Sequence, residues 1–285
     1  MTEVIDMGTL RDRMEREMVL RRMALRTRQA YTAQVAALAK YFRRSPDQLT
    51  EQEIQQYLVY LIEERRLSSS SCLQALHGLR FFYHETLKRA QMDICMPRLR
   101  REWKLPEILS REEIERLFAG AKLLKHRVLL MTAYAAGLRV SEVCALKISD
   151  IDSKRMTIRV EQSKGAKDRY SLLSPRLLKD LRQYWKSERP DKWLFPAPRT
   201  PDRPLHPHTA QKIYYAARDR AKLTKRVGIH GLRHAFATHL LEGGTEVHTI
   251  QRLLGHGDIH TTLRYCHVAQ QQITATRSPL ELLST

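Results

Sequence analysis

Apolar residues recur along this chain at two different periods, and the change of period divides it. In the first third, Tyr31, Val35, Leu38 and Phe42 stand at i, i+4, i+7 and i+11, one face of a helix. Thr50 and Glu53 form a capping box ahead of the stripe Ile54, Leu58, Leu61 and Ile62. The serines at 68–71 predict a turn and an N-cap, followed by a stripe at Cys72, Leu76, Leu79, Phe82 and Tyr83 that runs to about residue 87. An earlier helix is expected around 10–25. Four such elements predict a small helical bundle over residues 5–88.

Residues 89–106 lose this periodicity and contain two prolines with Arg98, Arg100, Arg101 and Lys104, a composition that suits an extended basic linker. A second capping box, Ser110 with Glu113, precedes Ile114, Leu117 and Phe118, and an apolar helix over 128–136 ends at Gly137. The period then changes to two. Met156, Ile158 and Val160 alternate with Thr157, Arg159 and Glu161, residues 163–168 supply a turn, and 170–173 return as a second strand. Ser174-Pro175 opens another helix, and helical patterns resume at 208–223, 230–241 and 247–254, with Gly243-Gly244 between the last two. The expected fold is mostly α: an N-terminal helical bundle, then an α+β domain over 107–272 with a small antiparallel sheet, then a tail over 273–285.

Charge narrows the partner. The chain of 285 residues carries 50 Lys+Arg against 31 Asp+Glu, a net +19, of which residues 1–96 hold +3 and the remainder +16. A field of that size attracts polyanions. The longest apolar run, 128–138, falls short of the roughly 20 residues a bilayer span needs. No basic amphipathic anchor stands out either, so no membrane partner is expected. The four cysteines lie far apart without a C-x-x-C pair, and the first thirty residues show no signal-peptide core. A reducing, cytoplasmic location is expected.

His230 and His234 stand at i and i+4, a spacing that suits metal ligation, but Gly231 occupies the place of the metalloprotease glutamate and spacing assigns no third ligand; no metal is expected. No Gly-rich phosphate loop precedes a helix with Lys-Ser/Thr, and carboxylates placed for two-metal phosphodiester chemistry are hard to find. What remains is a set of cations and one tyrosine in compact motifs. These are Gly137-Leu138-Arg139-Val140-Ser141-Glu142, the Lys164 turn, His230-Gly231-Leu232-Arg233-His234, Leu254-Gly255-His256 and Thr261-Thr262-Leu263-Arg264-Tyr265.

In this order, with Tyr265 nine residues after His256, the motifs resemble the tyrosine recombinase (phage integrase) family. The spacing is most similar to its compact Xer-type and insertion-element-associated members. The resemblance covers nearly the whole chain and implies a SAM-like core-binding domain, a linker and a catalytic domain. It also implies site roles: Arg139 and Arg233 as the catalytic arginines, Lys164 as the catalytic lysine, His230 as the histidine that accepts the tyrosine proton, His256 as a hydrogen-bond donor to the phosphate, Tyr265 as the nucleophile and Glu142 as a supporting acid. Its members cut and rejoin DNA through a 3′-phosphotyrosine without metal, ATP or other cofactor. They clamp duplex DNA and act as tetramers on two sites, with exchanged C-terminal tails. On this chain, Arg26, Thr27 and Arg28, just before the Tyr31 helix, are candidate DNA-backbone contacts. So are the serines at 68–71, the linker cations Arg98, Arg100, Arg101 and Lys104, and Lys167.

Each motif alone has a plainer reading. Arg139 pairs with Glu142, Lys164 and Lys167 are solvated charges on one turn, His234 and His239 are packing or surface histidines, and Tyr265 is a core tyrosine. Only the joint pattern outweighs these. Two departures stand: Ser163 where the family often has glycine, and Cys266 after the nucleophile, where threonine or histidine is more usual. Two other activities fit the same residues, a type IB topoisomerase-like relaxing enzyme and a non-catalytic DNA-binding remnant or regulator.

Overall fold

The computed structural model describes residues 7–95, 107–161 and 168–266. They fall into two compact units, one holding 7–95 and the other 107–266. In the first, α1 (Met7–Leu20), α2 (Leu25–Phe42), α3 (Glu51–Glu63) and α4 (Ser69–Arg80) form the expected bundle. Thr50 caps α3 in a complete box with Glu53, and Ser68 caps α4 by accepting from the Ser71 amide. The stripes meet as one core around Met14, Met18, Leu38, Ile54, Leu58, Leu79, Phe82 and Tyr83. Each such large side chain, fully buried, contributes roughly 1.5–3 kcal/mol.

Two expectations shift here. Arg26, Thr27 and Arg28 do not precede the Tyr31 helix but form the first turn of α2, because the chain turns at 21–24 and re-enters the helix at Leu25. Arg28 also spends its guanidinium on Glu15 of α1, an ion pair that ties the start of α2 to α1. Residues 89–95 pack on the bundle instead of opening a linker. Ile94 is buried, Arg80 Nε donates to its carbonyl, and Gln55 Nε2 donates to the Cys95 carbonyl at 2.9 Å. The linker cations Arg98, Arg100, Arg101 and Lys104 lie outside the described residues.

In the second unit α5 (Arg111–Gly120) starts at the Ser110–Glu113 capping box, and α6 (Leu124–Ala135) runs through the core with Val128, Leu129, Leu130 and Ala133 buried. A five-residue helix, α7 (Val140–Cys144), follows the turn at Gly137. Three antiparallel strands come next in the order β1 (Ile151–Asp152), β2 (Thr157–Val160), β3 (Arg169–Leu172), with Ile158 opposite both Ile151 and Ser171. The two-residue β1 is too short to show a period, which is why the sequence points to two strands only. Then α8 (Pro175–Glu188), α9 (Pro207–Arg220), α10 (His230–Glu242), α11 (Val247–Leu254) and the short α12 (His260–Leu263) complete the described chain.

Two connections aim the site. Ser171 Oγ on β3 donates to the Ala136 carbonyl at the end of α6, 2.7 Å away, which fixes the sheet against the start of the Gly137 turn. Gly137 itself has φ +60, and an added Cβ would sit 2.3 Å from the Phe236 ring of α10, so the turn needs glycine on both counts. The tight approach of this turn to α10 brings Arg139 and Arg233 together.

Candidate active site

Glu142 is the hub of the charged end. Its carboxylate accepts from the Arg139 backbone amide at 2.8 Å and from Arg139 Nη1 at 2.6 Å. From the other side Arg169, at the start of β3, makes a two-pronged contact, Nη1 to Oε1 at 3.0 Å and Nη2 to Oε2 at 2.7 Å. Parallel bonds of this kind fix orientation as well as charge. Arg233 approaches the same carboxylate at 3.7 Å, but its firm bonds go to backbone: Nη1 to the Gly137 carbonyl at 2.8 Å and Nη2 to the Leu254 carbonyl at 2.7 Å. Arg169 Nε adds a bond to the Leu253 carbonyl at 2.9 Å. Both arginines thus tie down the last turn of α11, whose C-cap is Gly255 at φ +64, immediately before His256.

Three guanidiniums around one buried carboxylate leave excess positive charge. Burial alone would raise the Glu142 carboxyl, yet the bonds and charge from Arg169 and Arg139 bring it down to about 2. Burial and the charges of Arg139 and Arg169 lower Arg233 to about 10. A site whose own cations repel one another is one that an anion would relax.

The other end is aromatic and uncharged. A cavity of about 380 Å³ is lined by Arg139, His230, Arg233, His234, Gly255, His256, Gly257, Thr261 and Tyr265. Burial, then Arg233 and Arg139, pull His256 down to about 4, so its ring is neutral near pH 7. Its Nδ1 lies 2.9 Å from the Thr262 hydroxyl; with Nδ1 accepting, the ring proton sits on Nε2. Burial lowers His230 and His234 as well, and it raises the Tyr265 phenol despite Arg233 and Arg139. The Tyr265 hydroxyl lies 2.9 Å from Nδ1 of His234.

The structure therefore gathers Arg139, His230, Arg233, His256 and Tyr265 around one cavity, with Glu142 behind the arginines. Lys164 and Lys167 lie outside the described residues. Arg139 does pair with Glu142, as its plain reading has it, and it also lines the cavity. His234 partners the Tyr265 hydroxyl and lines the cavity, so its packing contact is with the candidate nucleophile. His239 is held at Nδ1 by the Tyr134 hydroxyl at 2.8 Å, consistent with packing. Sequence reasoning missed Arg169 and Thr262 too. The signal for His234 was its i+4 spacing from His230, and Arg169 closes the same Ser163–Arg169 stretch that carries Lys164. Although His230 and His234 share a helix face, no group of three or more His, Cys, Asp or Glu side chains among the described residues is placed to hold a metal. Nor is any helix among them long and apolar enough to cross a membrane.

Comparison with known proteins places this geometry. Residues 107–272 match the phage integrase family, and residues 10–93 match the phage integrase N-terminal SAM-like domain. The chain is 46% identical to the Sinorhizobium fredii protein designated integrase/recombinase y4qK, covering 99% of this chain and 92% of that one. It is 30% identical to a tyrosine recombinase of Thermosipho africanus over 89% of this chain and 92% of the relative. Its fold resembles that of a lambda integrase tetramer bound to a Holliday junction, with TM-score 0.74, 18% identity, and coverage of 98% and 80%. The chain belongs to the phage integrase family of tyrosine recombinases, which are DNA strand-transfer enzymes.

Proposed function

We propose that this protein is a site-specific recombinase that cuts and rejoins DNA through a covalent 3′-phosphotyrosine at Tyr265. The observation that carries the reading is the single cavity shared by Tyr265, two arginines and His256. Tyr265 Oη attacks the scissile phosphorus, which divides one transfer into two reversible steps. Charge that builds on the non-bridging oxygens is met by the guanidiniums of Arg139 and Arg233, already fixed before DNA arrives. His256 donates from Nε2 to the same phosphate. Lys164, which falls between β2 and β3 in the sequence, protonates the departing 5′-oxygen. Because the ester is conserved in the phosphotyrosine, rejoining needs no ATP, and the arginines supply the charge stabilisation that divalent metals supply elsewhere.

Duplex DNA is the substrate. The +16 carried after residue 96 supplies salt-sensitive backbone contacts, with Arg26 and Thr27 on the first unit and the linker cations as candidates. A homotetramer on two sites, linked by exchange of the tail at 273–285, is the working assembly; support comes from the fold relative solved as a tetramer on a Holliday junction. The test is a nicked suicide duplex carrying the end of the host element. Wild type becomes trapped as a covalent adduct in the presence of chelator, and Tyr265→Phe gives none. An adduct of undiminished yield from Tyr265→Phe would overturn the assignment.

A further inference from the structure

We infer that His234, one helical turn beyond His230, is the group that takes the Tyr265 proton when the nucleophile attacks. This rests on the proposed chemistry and names a residue that the family motifs leave unassigned. The nucleophile's hydroxyl sits 2.9 Å from Nδ1 of His234, within the range over which a general base acts. The family resemblance implies that role for His230, the motif histidine, which lines the same cavity, but it is His234 that partners the phenol. The rings of His234 and Tyr265 are 5.7 Å apart and tilted at 49°, so they are not stacked, and they meet through Nδ1 and the hydroxyl.

The proton has to go somewhere within reach. Burial raises the Tyr265 phenol, so it arrives protonated, and burial keeps His234 neutral with a lone pair to offer. The titratable and charged groups that line the cavity with His234 are His230 and Arg233 on α10, which both act on its charge, Arg139 just before α7, His256 after α11, and Tyr265 itself. Two of these are permanent cations, so an imidazolium at His234 is disfavoured while the cavity is empty of anion. A phosphodiester between Arg139 and Arg233 brings negative charge to the same place and offsets that repulsion. The base therefore becomes competent when DNA is seated, and the tyrosine stays latent before that. In the step, the Tyr265 Oη–P bond forms and the P–O5′ bond breaks; the phenol proton passes to Nδ1 of His234, and the 5′-oxygen takes a proton from Lys164. In rejoining, the 5′-hydroxyl returns its proton to Lys164 as it attacks phosphorus, the P–Oη bond breaks, and the His234 proton returns to the departing phenolate.

The experiment is single-turnover cleavage of the nicked suicide duplex from pH 5 to 9, with DNA binding measured alongside. His234→Asn keeps a polar atom near Nδ1 that cannot take a proton. It should slow cleavage about 10²–10⁴-fold and lose the rise of rate with pH on the acid side, with binding within about twofold of wild type. His230→Asn should keep that rise. On a duplex with a 5′-bridging sulfur, which leaves without a proton, a Lys164 variant should recover and His234→Asn should not. Should His234→Asn melt below wild type, His234→Gln replaces it in the same assay. Cleavage within threefold of wild type, faster cleavage, an unchanged acid limb, or rescue by the sulfur substrate would each overturn the inference. Adduct formation by Tyr265→Phe would instead sink the reading it rests on.

Discussion

The two ends of the cavity are built on opposite principles. At the arginine end every group is held more than once: Arg139 by Glu142 through both its backbone amide and its guanidinium, Arg169 by three bonds, Arg233 by two carbonyls. At the nucleophile end, Tyr265 follows a four-residue helix and its hydroxyl bonds to one imidazole. The contrast follows from the chemistry. A phosphate clamp is most effective when it needs no reorganisation at the moment of reaction, whereas a nucleophile has to travel to phosphorus and back. Permanent charge and backbone carbonyls suit the first, and a neutral hydrogen bond suits the second.

The sharpest way to break the comparison is at Glu142. Glu142→Gln removes the one negative charge among three guanidiniums, and removing one partner of a buried ion pair typically costs about 3–5 kcal/mol. Cleavage should fall by about 10³-fold or more, while Tyr265→Phe, in the other end, should leave the melting temperature close to wild type. The pH dependence has a definite sign. With the folded carboxyl at about 2 against an ordinary value of 4.5, its stabilisation is present above pH 4.5 and drains away as pH falls from there toward 2. Denaturation midpoints of wild type and Glu142→Gln should therefore converge over that window. Midpoints that stay parallel down to pH 2 would show that the carboxylate does not hold the arginines.

Arg169 asks whether geometry matters at this end or only charge. Arg169→Lys keeps the cation but cannot make both parallel bonds to Glu142 and the third to Leu253. Stability should drop by about 1–3 kcal/mol, the usual loss for charged hydrogen bonds, and cleavage by about tenfold to a hundredfold. The loss should appear in the rate of the covalent step, with DNA affinity nearly unchanged, because Arg169 is buried and acts through Glu142 and the His256 turn. A pure loss of affinity would mean that it touches DNA directly.

How much of this was legible in the sequence follows the same division. Helix stripes and capping boxes are local patterns, so α3, α5, α10 and α11 could be read residue by residue. The cavity's members could be named because their motifs are short, but what binds them to one another is long-range. Arg169 and Glu142 are 27 residues apart, Arg233 and Gly137 are 96 apart, and no periodicity links either pair. His234 illustrates the limit. On a largely buried helix a histidine reads as packing until the partner on another element is known, and that partner is 31 residues away on the turn after α12. The first unit shows a subtler failure: residues 89–95 lack periodicity because they are held by carbonyl bonds to Arg80, His84 and Gln55, contacts that leave no apolar stripe.

The smallest expected effect lies where the two ends meet. Thr262, buried, holds His256 Nδ1 at 2.9 Å, and it precedes Tyr265 by three residues. Thr262→Val keeps shape and burial but leaves Nδ1 without its partner, so the neutral ring is free to carry its proton on either nitrogen. The lost bond is a net contribution of about 0.5–1.5 kcal/mol, or about 2- to 12-fold in the cleavage rate. Since His256 is already neutral well above pH 4, the deficit should be constant between pH 6 and 9. A deficit that grows toward pH 6 would mean that Thr262 works by keeping the imidazole uncharged. One as large as that of Arg169→Lys would mean that the phosphate clamp extends through His256, and that the rigid end of the site reaches further toward the tyrosine.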